Sequence, residues 1–373
     1  MNIIIFLTYG VSFKNWDEAG LLSRELKLYK KLQEKYNFKF TFVTYGDESD
    51  LNYKEHITNM EVIPIYKFNK QYNNKILSIF QSLTIPMTLK KLTNNKYDII
   101  KTNQLFGSWV AIIYKIIIRK PLIIRTGYDL YLFSRKDGKN FIKQGLYYFL
   151  TLAALNFSTI YTVTSKSDFK YIEKHYFFKK DKLLIRRNWV DLIESNSLQV
   201  AGANKVLAVG RLEPQKDFST LVKIFNNSNI ELDIIGEGSL ENELKSITKK
   251  NIQILERVSN SELIELYSKY KIFISFSNYE GNPKTTLEAM GSGCLVIALD
   301  IPNNSEIIEH GVTGILIKSK DSSVLNILES FFENNNEFNR ITTNAKNYIV
   351  KSHSLEGYLN TEIEDYRALS NFN

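Results

Sequence analysis

The chain has 373 residues, 44% hydrophobic and 24% charged, a length that fits two domains. That composition excludes a disordered chain, a collagen-like repeat and a disulfide scaffold, and one cysteine, Cys294, suits a reducing cytosol. The net charge of +8 hides an uneven split: residues 1–190 carry 31 Lys and Arg against 15 Asp and Glu (+16), the remainder 17 against 25 (−8). A half that basic expects an anionic partner: nucleic acid, a membrane surface or a phosphorylated substrate.

Met1–Leu7 is apolar, has no basic residue ahead of it and runs into a glycine loop. It reads as a first buried strand rather than a signal peptide. Further short apolar runs at Phe40–Thr44, Ile99–Lys101, Leu122–Arg125 and Ile160–Val163 read as strands. Helical patterns fall between them, as at Leu21–Tyr36 with apolar residues at 21, 22, 26, 28 and 32. The apolar run Leu146–Phe157 is too short for the ~20 residues of a spanning helix. It reads as a helix buried in the first domain; beside Lys139, Lys143 and Lys166, a place on a membrane surface is the alternative.

Residues 191–204, rich in Ser, Asn, Gln, Ala and Gly, read as a linker. The alternation then restarts. Strands are expected at Val206–Val209, Leu232–Ile235, Ile252–Leu255, Ile272–Ser275, Leu295–Ala298 and Gly314–Ile317. Helices are expected from Phe218, over Leu240–Lys249, Ser261–Tyr270 and Thr285–Met290, and over Ser305–Glu309. Strand–helix alternation implies parallel sheets covered on both faces. The fold class is therefore α/β, with two Rossmann-like, doubly wound parallel-sheet domains facing a cleft. The divisions are 1–190, the linker 191–204, a second domain 205–353 and a C-terminal helix in 354–373. In such sheets ligands bind outside the carboxyl ends of the strands.

Three motifs follow strands of the second half. The first is Glu280-Gly281-Asn282-Pro283-Lys284-Thr285-Thr286-Leu287-Glu288, which opens a helix. Asn282 suits the N-cap and Pro283 the first helical position, leaving backbone N–H groups for an anion. Eight helical residues between Glu280 and Glu288 rise ~12 Å, too far for a glycosidase pair, so the carboxylates have separate roles or are surface groups. The second motif is Gly210-Arg211-Leu212-Glu213-Pro214-Gln215-Lys216. Its glycine permits close backbone approach, and its two cations suit a diphosphate or belong to a solvated loop. The third, Gly236-Glu237-Gly238, is weak by itself.

Together with Glu306-Ile307-Ile308-Glu309-His310-Gly311-Val312-Thr313-Gly314, these pieces resemble the donor-binding domain of the family 4 retaining glycosyltransferases, which have the GT-B fold. The resemblance covers about Lys205–Lys318. It implies a retaining, metal-independent hexosyltransferase whose donor is a nucleotide-diphosphate sugar, with no other cofactor. Arg211 and Lys216 would bind the diphosphate and Glu280 would sit against the transferred sugar, these three forming the catalytic set. Glu288 would accept hydrogen bonds from the ribose. Gly210, Gly236, Asn282, Pro283, Lys284 and Thr285 would complete the donor site, with Arg257 and Val258 beside the base. The four histidines and single cysteine show no metal-ligand spacing.

The first half matches more loosely. Gly10 follows the first strand without a paired glycine, and Ser12-Phe13-Lys14-Asn15-Trp16 stands there. Where the family often carries a histidine, this chain reads Arg125-Thr126-Gly127-Tyr128-Asp129. Lys14, Asn15, Arg125, Tyr128 and Asp129 thereby become acceptor-site candidates. Leu355–Leu369 has helical spacing and by resemblance would return to the first domain. The basic half suits a glycan or lipid-diphosphate-linked acceptor on an anionic membrane, at the cytoplasmic inner face. The expected pathway is surface-glycan synthesis such as lipopolysaccharide or capsule. A nucleotide-sugar epimerase or hydrolase needs more cleft carboxylates and histidines than are present. A nucleic-acid-binding protein lacks the aromatic pattern and the helix-turn-helix it would need.

Overall fold

The computed structural model describes residues 1–56, 60–94, 96–191 and 204–370. Most of the linker assigned to 191–204 therefore lies outside the described residues. The chain divides into two compact units. Unit 1 comprises the described residues of Met1–Thr164, Asp168–Arg186 and Leu359–Asn373; unit 2 comprises those of Ser165–Ser167 and Arg187–Tyr358.

Unit 1 is built on a seven-stranded parallel sheet: β1 (Asn2–Phe6), β2 (Lys39–Thr44), β3 (Glu61–Pro64), β4 (Ile99–Thr102), β5 (Leu122–Arg125), β6 (Ile160–Val163) and β7 (Leu183–Ile185). Their order is β3-β2-β1-β4-β5-β6-β7. The central strand β1 pairs Ile3 with Phe40 on one side and with Ile99 on the other. Ile3, Ile4 and Ile5 are fully buried, as a strand covered on both faces requires. β3 and β7 escape the sequence reading because each is a short edge strand. Glu-Val-Ile-Pro ends on a proline that only an edge tolerates, and Leu-Leu-Ile has three residues.

Unit 2 repeats the plan with six parallel strands: β8 (Lys205–Val209), β9 (Glu231–Ile235), β10 (Ile252–Leu255), β11 (Ile272–Ser275), β12 (Leu295–Leu299) and β13 (Ile315–Ile317). The order β10-β9-β8-β11-β12-β13 reverses direction at β8, the switch point where such sheets bind ligands. Val206, Leu232, Ile234, Ile272 and Leu295 fill one core face; Leu207, Phe273 and Val296 fill the other. The helix expected at Ser305–Glu309 lies instead at Pro302–Ser305, because Pro302 sets a first helical turn that is not continued.

Another expectation fails in unit 1. The helix Phe141–Phe157 buries only Thr151, Ala154 and Leu155 among its residues. Phe141, Ile142, Leu146 and Phe149 stand in solvent. The helix packs on the helices Ser108–Ile118 and Leu130–Lys136, and its opposite face is not buried as the sequence suggested. Among the described residues no helix is long and apolar enough to cross a membrane.

The last helix, Leu355–Ser370, begins in unit 2 and ends in unit 1. In unit 1 its Glu362 accepts from the Lys101 ammonium, and its Asp365 takes the Arg186 guanidinium at 2.5 and 2.8 Å. Lys101 sits on β4 with 2% of its side chain exposed. Burial pushes its ammonium down, to about 7, so the carboxylate provides the compensation that water cannot. Glu362→Leu alone is expected to cost about 3–5 kcal/mol by stranding that cation. Lys101→Met with Glu362→Leu should recover most of the loss. The denaturant midpoints of parent, single and double variants check this, and a double variant as unstable as the single refutes the coupling.

Candidate functional site

The candidate donor site of unit 2 is assembled at the carboxyl ends of β8, β9 and β11. The turn after β8 lies directly on the turn after β9. Gly210 N–H donates to the Ile235 carbonyl at 3.1 Å and Leu212 N–H to that of Glu237 at 2.8 Å. A Cβ on Gly236 would fall 1.9 Å from the Gly210 oxygen, and one on Gly238 2.5 Å from the Leu212 oxygen. Only glycine permits that approach. Gly236-Glu237-Gly238, weak as a pattern, is here a steric necessity.

The chain then makes a short 3-10 turn, Pro214–Lys216, and leaves it through Asp217 in the left-handed region at φ 52°. This turn folds the Lys216 stem back over Gly210, whose absent Cβ would meet Cε at 3.1 Å. The Lys216 ammonium donates to Glu280 Oε1 in the loop after β11. Both side chains are largely shielded, 14% and 9% exposed, so the pair is screened far less than a surface one. Gln215 fastens the same two loops: its Nε2 donates to the Tyr279 carbonyl at 2.8 Å, and its own carbonyl accepts from Asn278 N–H at 2.9 Å. Arg211 stays exposed, its guanidinium 3.4 Å from Gln215 Oε1.

Helix Lys284–Gly291 starts one residue later than its sequence suggests. Pro283 is the N-cap, with no side-chain cap bond. Asn282 cannot cap because it is turned to Asn188: its Oδ1 accepts from Asn188 N–H at 3.2 Å, and its carbonyl from Asn188 Nδ2 at 2.9 Å. A helix N-terminus favours an anion through its dipole and first-turn N–H groups. Lys284 and Thr285, its first two residues, are half-buried. Glu288, one turn further, is 3% exposed. Its carboxylate accepts from Asn260 Nδ2 at 3.1 Å and from the Tyr267 hydroxyl at 3.4 Å. That burial excludes the exposed helix face left open for it. Arg257 is exposed and paired with Glu237 at 2.6 Å, while Val258 packs against the core.

Lys320 escaped the sequence reading. Its ammonium lies 2.6 Å from Asp217 Oδ2 and 2.5 Å from Asn278 Oδ1, with the side chain 15% exposed. It thus braces the same two loops as Lys216. A signal existed: it is a lysine of the acidic half, just after the strand Ile315–Ile317. Asn188 and Asn303 were also missed. The latter donates to the Gly281 carbonyl at 2.5 Å, and nothing in its sequence context announces that bond.

The five acceptor candidates of unit 1 do not form one group. Asn15 serves the helix Phe13–Glu18 in a capping box with Ser12. Lys14 is exposed, 3.9 Å from Glu18. Both helix-start amides, of Phe13 and Lys14, reach the buried Asp50 carboxylate at 3.2 Å. Arg125 closes β5, and the Tyr128 ring stacks on Phe133 at 4.1 Å. Asp129 is corrected outright. It is fully buried and caps helix Leu130–Lys136 through Leu132 N–H at 2.7 Å. Its second oxygen accepts from Tyr176 at 3.0 Å and Thr151 at 3.4 Å. Burial raises its carboxyl above the ordinary value. A carboxylate so enclosed does not meet an acceptor.

Two doubly wound parallel sheets, the second carrying this strand-end site, define the GT-B class of protein. Residues 192–348 match the family described as glycosyl transferases group 1. The GtfA subunit of a UDP-N-acetylglucosamine–peptide N-acetylglucosaminyltransferase from Streptococcus pneumoniae is 32% identical over 127 residues. That stretch is 32% of this chain but only 25% of the streptococcal protein. A UDP-Gal:alpha-D-GlcNAc-diphosphoundecaprenol alpha-1,3-galactosyltransferase of Escherichia coli is 25% identical over 71% of this chain and 74% of its own. Among solved structures, Anabaena HepE in complex with UDP and glucose superposes with a TM-score of 0.74 at 16% identity, over 98% of this chain and all of that one. The last is a likeness of fold.

Asp129→Ala should lower the unfolding midpoint by the equivalent of about 1–3 kcal/mol, since it removes a cap and strands two hydroxyls. The KM for acceptor should hold. A raised KM with unchanged stability would return Asp129 to the acceptor site.

Proposed function

We propose that this chain transfers a hexose from a nucleoside-diphosphate sugar to a glycan acceptor with retention of configuration. The observation that carries the reading is the shielded Lys216–Glu280 pair, spanning the loops after β8 and β11, with the Lys216 stem folded over Gly210. Departure of a nucleoside diphosphate needs positive charge where the negative charge develops. Lys216, Arg211 and the uncapped start of helix Lys284–Gly291 supply it without a metal ion. Glu288, held by Asn260 and Tyr267, is the proposed acceptor for the ribose hydroxyls.

Retention is favoured by the state of Glu280. A carboxylate paired with an ammonium is a poor nucleophile, so a covalent glycosyl intermediate is disfavoured. Departure and attack on the same sugar face, with the leaving phosphate taking the acceptor proton, fits better. Glu280 then positions the sugar. A uridine nucleotide is the preferred donor, as in the E. coli relative's name and the HepE complex. A lipid-diphosphate-linked glycan at the cytoplasmic face of a membrane is the preferred acceptor, in keeping with that relative and with the +16 of residues 1–190. The pathway class is surface-glycan synthesis.

Calorimetry and steady-state turnover of variants test this. Lys216→Ala should weaken binding of UDP and cost about 2–4 kcal/mol in kcat/KM. Glu280→Ala should leave UDP binding equal or tighter, because it releases the Lys216 ammonium to the diphosphate, while kcat falls. Unchanged UDP affinity in Lys216→Ala, or a Glu280→Ala variant that loses affinity and keeps kcat, overturns the assignment.

A further inference from the structure

Two helices of unit 1 present large apolar side chains to solvent. In Lys75–Ser82 the serines face the fold: Ser78 Oγ lies 2.7 Å from the Tyr9 hydroxyl, and Ser82 Oγ accepts from the Trp109 indole at 2.9 Å. Its Ile76, Leu77 and Phe80 face water, 65%, 51% and 66% exposed. In Phe141–Phe157, Thr151, Ala154 and Leu155 are buried and Tyr148, Leu150 and Leu152 pack against the core, so one face is seated in the fold. Its Ile142, Leu146 and Phe149, spaced i, i+4 and i+7 on one stripe, are 61%, 65% and 67% exposed.

One aromatic chain joins the helices. Tyr9 packs on Trp109 at 5.2 Å and on Phe106 at 6.2 Å, and Phe106 meets Tyr147 of the second helix at 6.5 Å. Tyr9 follows β1 and Phe106 follows β4, so both helices border the carboxyl end of the unit 1 sheet. Large exposed apolar surface marks an interaction site.

Charge decides between occupants. From Val62 to Tyr97 the sequence has six lysines and no carboxylate, and from Gly138 to Ser167 three lysines and no carboxylate. Lys75 and Lys143 lie on the two helices themselves and are exposed. Protein interfaces are depleted in lysine, and a second copy would set like charges against each other. An anionic lipid surface satisfies both features.

We propose that these two helix faces seat unit 1 on an anionic bilayer, with the apolar side chains entering the headgroup–acyl boundary and the lysines meeting lipid phosphates. The carboxyl end of the unit 1 sheet, where a lipid-linked acceptor has to arrive, is thereby held at the membrane. This rests on the acceptor reading above, but its test is separable from it.

The full-length chain is to be sedimented with vesicles of phosphatidylcholine, with and without phosphatidylglycerol. The parent is expected to partition onto the anionic vesicles. Ile76→Glu with Phe80→Glu, and Leu146→Glu with Phe149→Glu, should each lower that partition by roughly tenfold or more. Lys75→Glu with Lys143→Glu should lower it and flatten its salt dependence. UDP calorimetry on the same proteins should be unchanged, because no substituted residue belongs to the donor site. Absence of parent binding, equal partition of the variants, or a parent dimer in light scattering that the Glu variants dissolve without any vesicle binding overturns the proposal. A parent that binds vesicles but no nucleoside diphosphate overturns the donor reading and leaves this one standing.

Discussion

The donor-side geometry depends on one ion pair. Lys216 and Glu280 are 64 positions apart, on loops that leave different strands. A shielded pair is a poor source of stability, because both charges give up hydration to meet. Its value is positional. With Gln215 and Lys320 tying the same two loops, the ammonium and carboxylate are held in place by several contacts at once. The glycine contacts beneath make the pair possible. Any side chain at Gly236 would drive the turns after β8 and β9 apart and lift the Lys216 loop with them.

Most of the fold was legible because parallel sheets write a strong signal. A strand buried on both faces is a run of Ile, Leu, Val and Phe, and Ile3–Ile5, Phe40–Val43 and Leu295–Ala298 are such runs. Edge strands write a weak one, since half their surroundings are solvent, and Glu61–Pro64 and Leu183–Ile185 were lost for that reason. The displaced helix at Pro302–Ser305 shows a different limit. Proline marks a start, but four residues leave no periodicity to read.

Candidate site residues are legible where a motif places a residue type at a strand end. Gly210, Arg211, Lys216, Glu280 and Glu288 all fall on strand-end loops or the helix that opens from one. What stayed hidden were residues whose work is to hold others. Asn188 occupies both faces of the Asn282 peptide from 94 positions away. Asn282, whose Oδ1 accepts from Asn188 N–H, is therefore no cap, and the helix begins on Lys284 behind Pro283. Asp129 failed in the opposite sense. A carboxylate after a strand reads as a ligand group, yet Ser, Thr, Asn and Asp are also the residues that cap helices. Only the burial of its neighbours Thr151 and Tyr176 separates the two uses.

The charge asymmetry has the same double meaning. The acidic half holds the proposed diphosphate site, because a ligand responds to a few placed cations and free amides rather than to a domain's sum. The basic half gains meaning only when exposure is known. In the helix Lys75–Ser82, Ser78 and Ser82 face inward. Polar groups are satisfied inside, where each has a hydroxyl or indole partner, and the apolar residues are left on the outside. Folding alone does not favour that arrangement, since exposing Ile76 and Phe80 forgoes about 1.5–3 kcal/mol of burial for each. A surface that recovers this burial outside the fold accounts for it, and the lysines around it indicate a surface that is anionic.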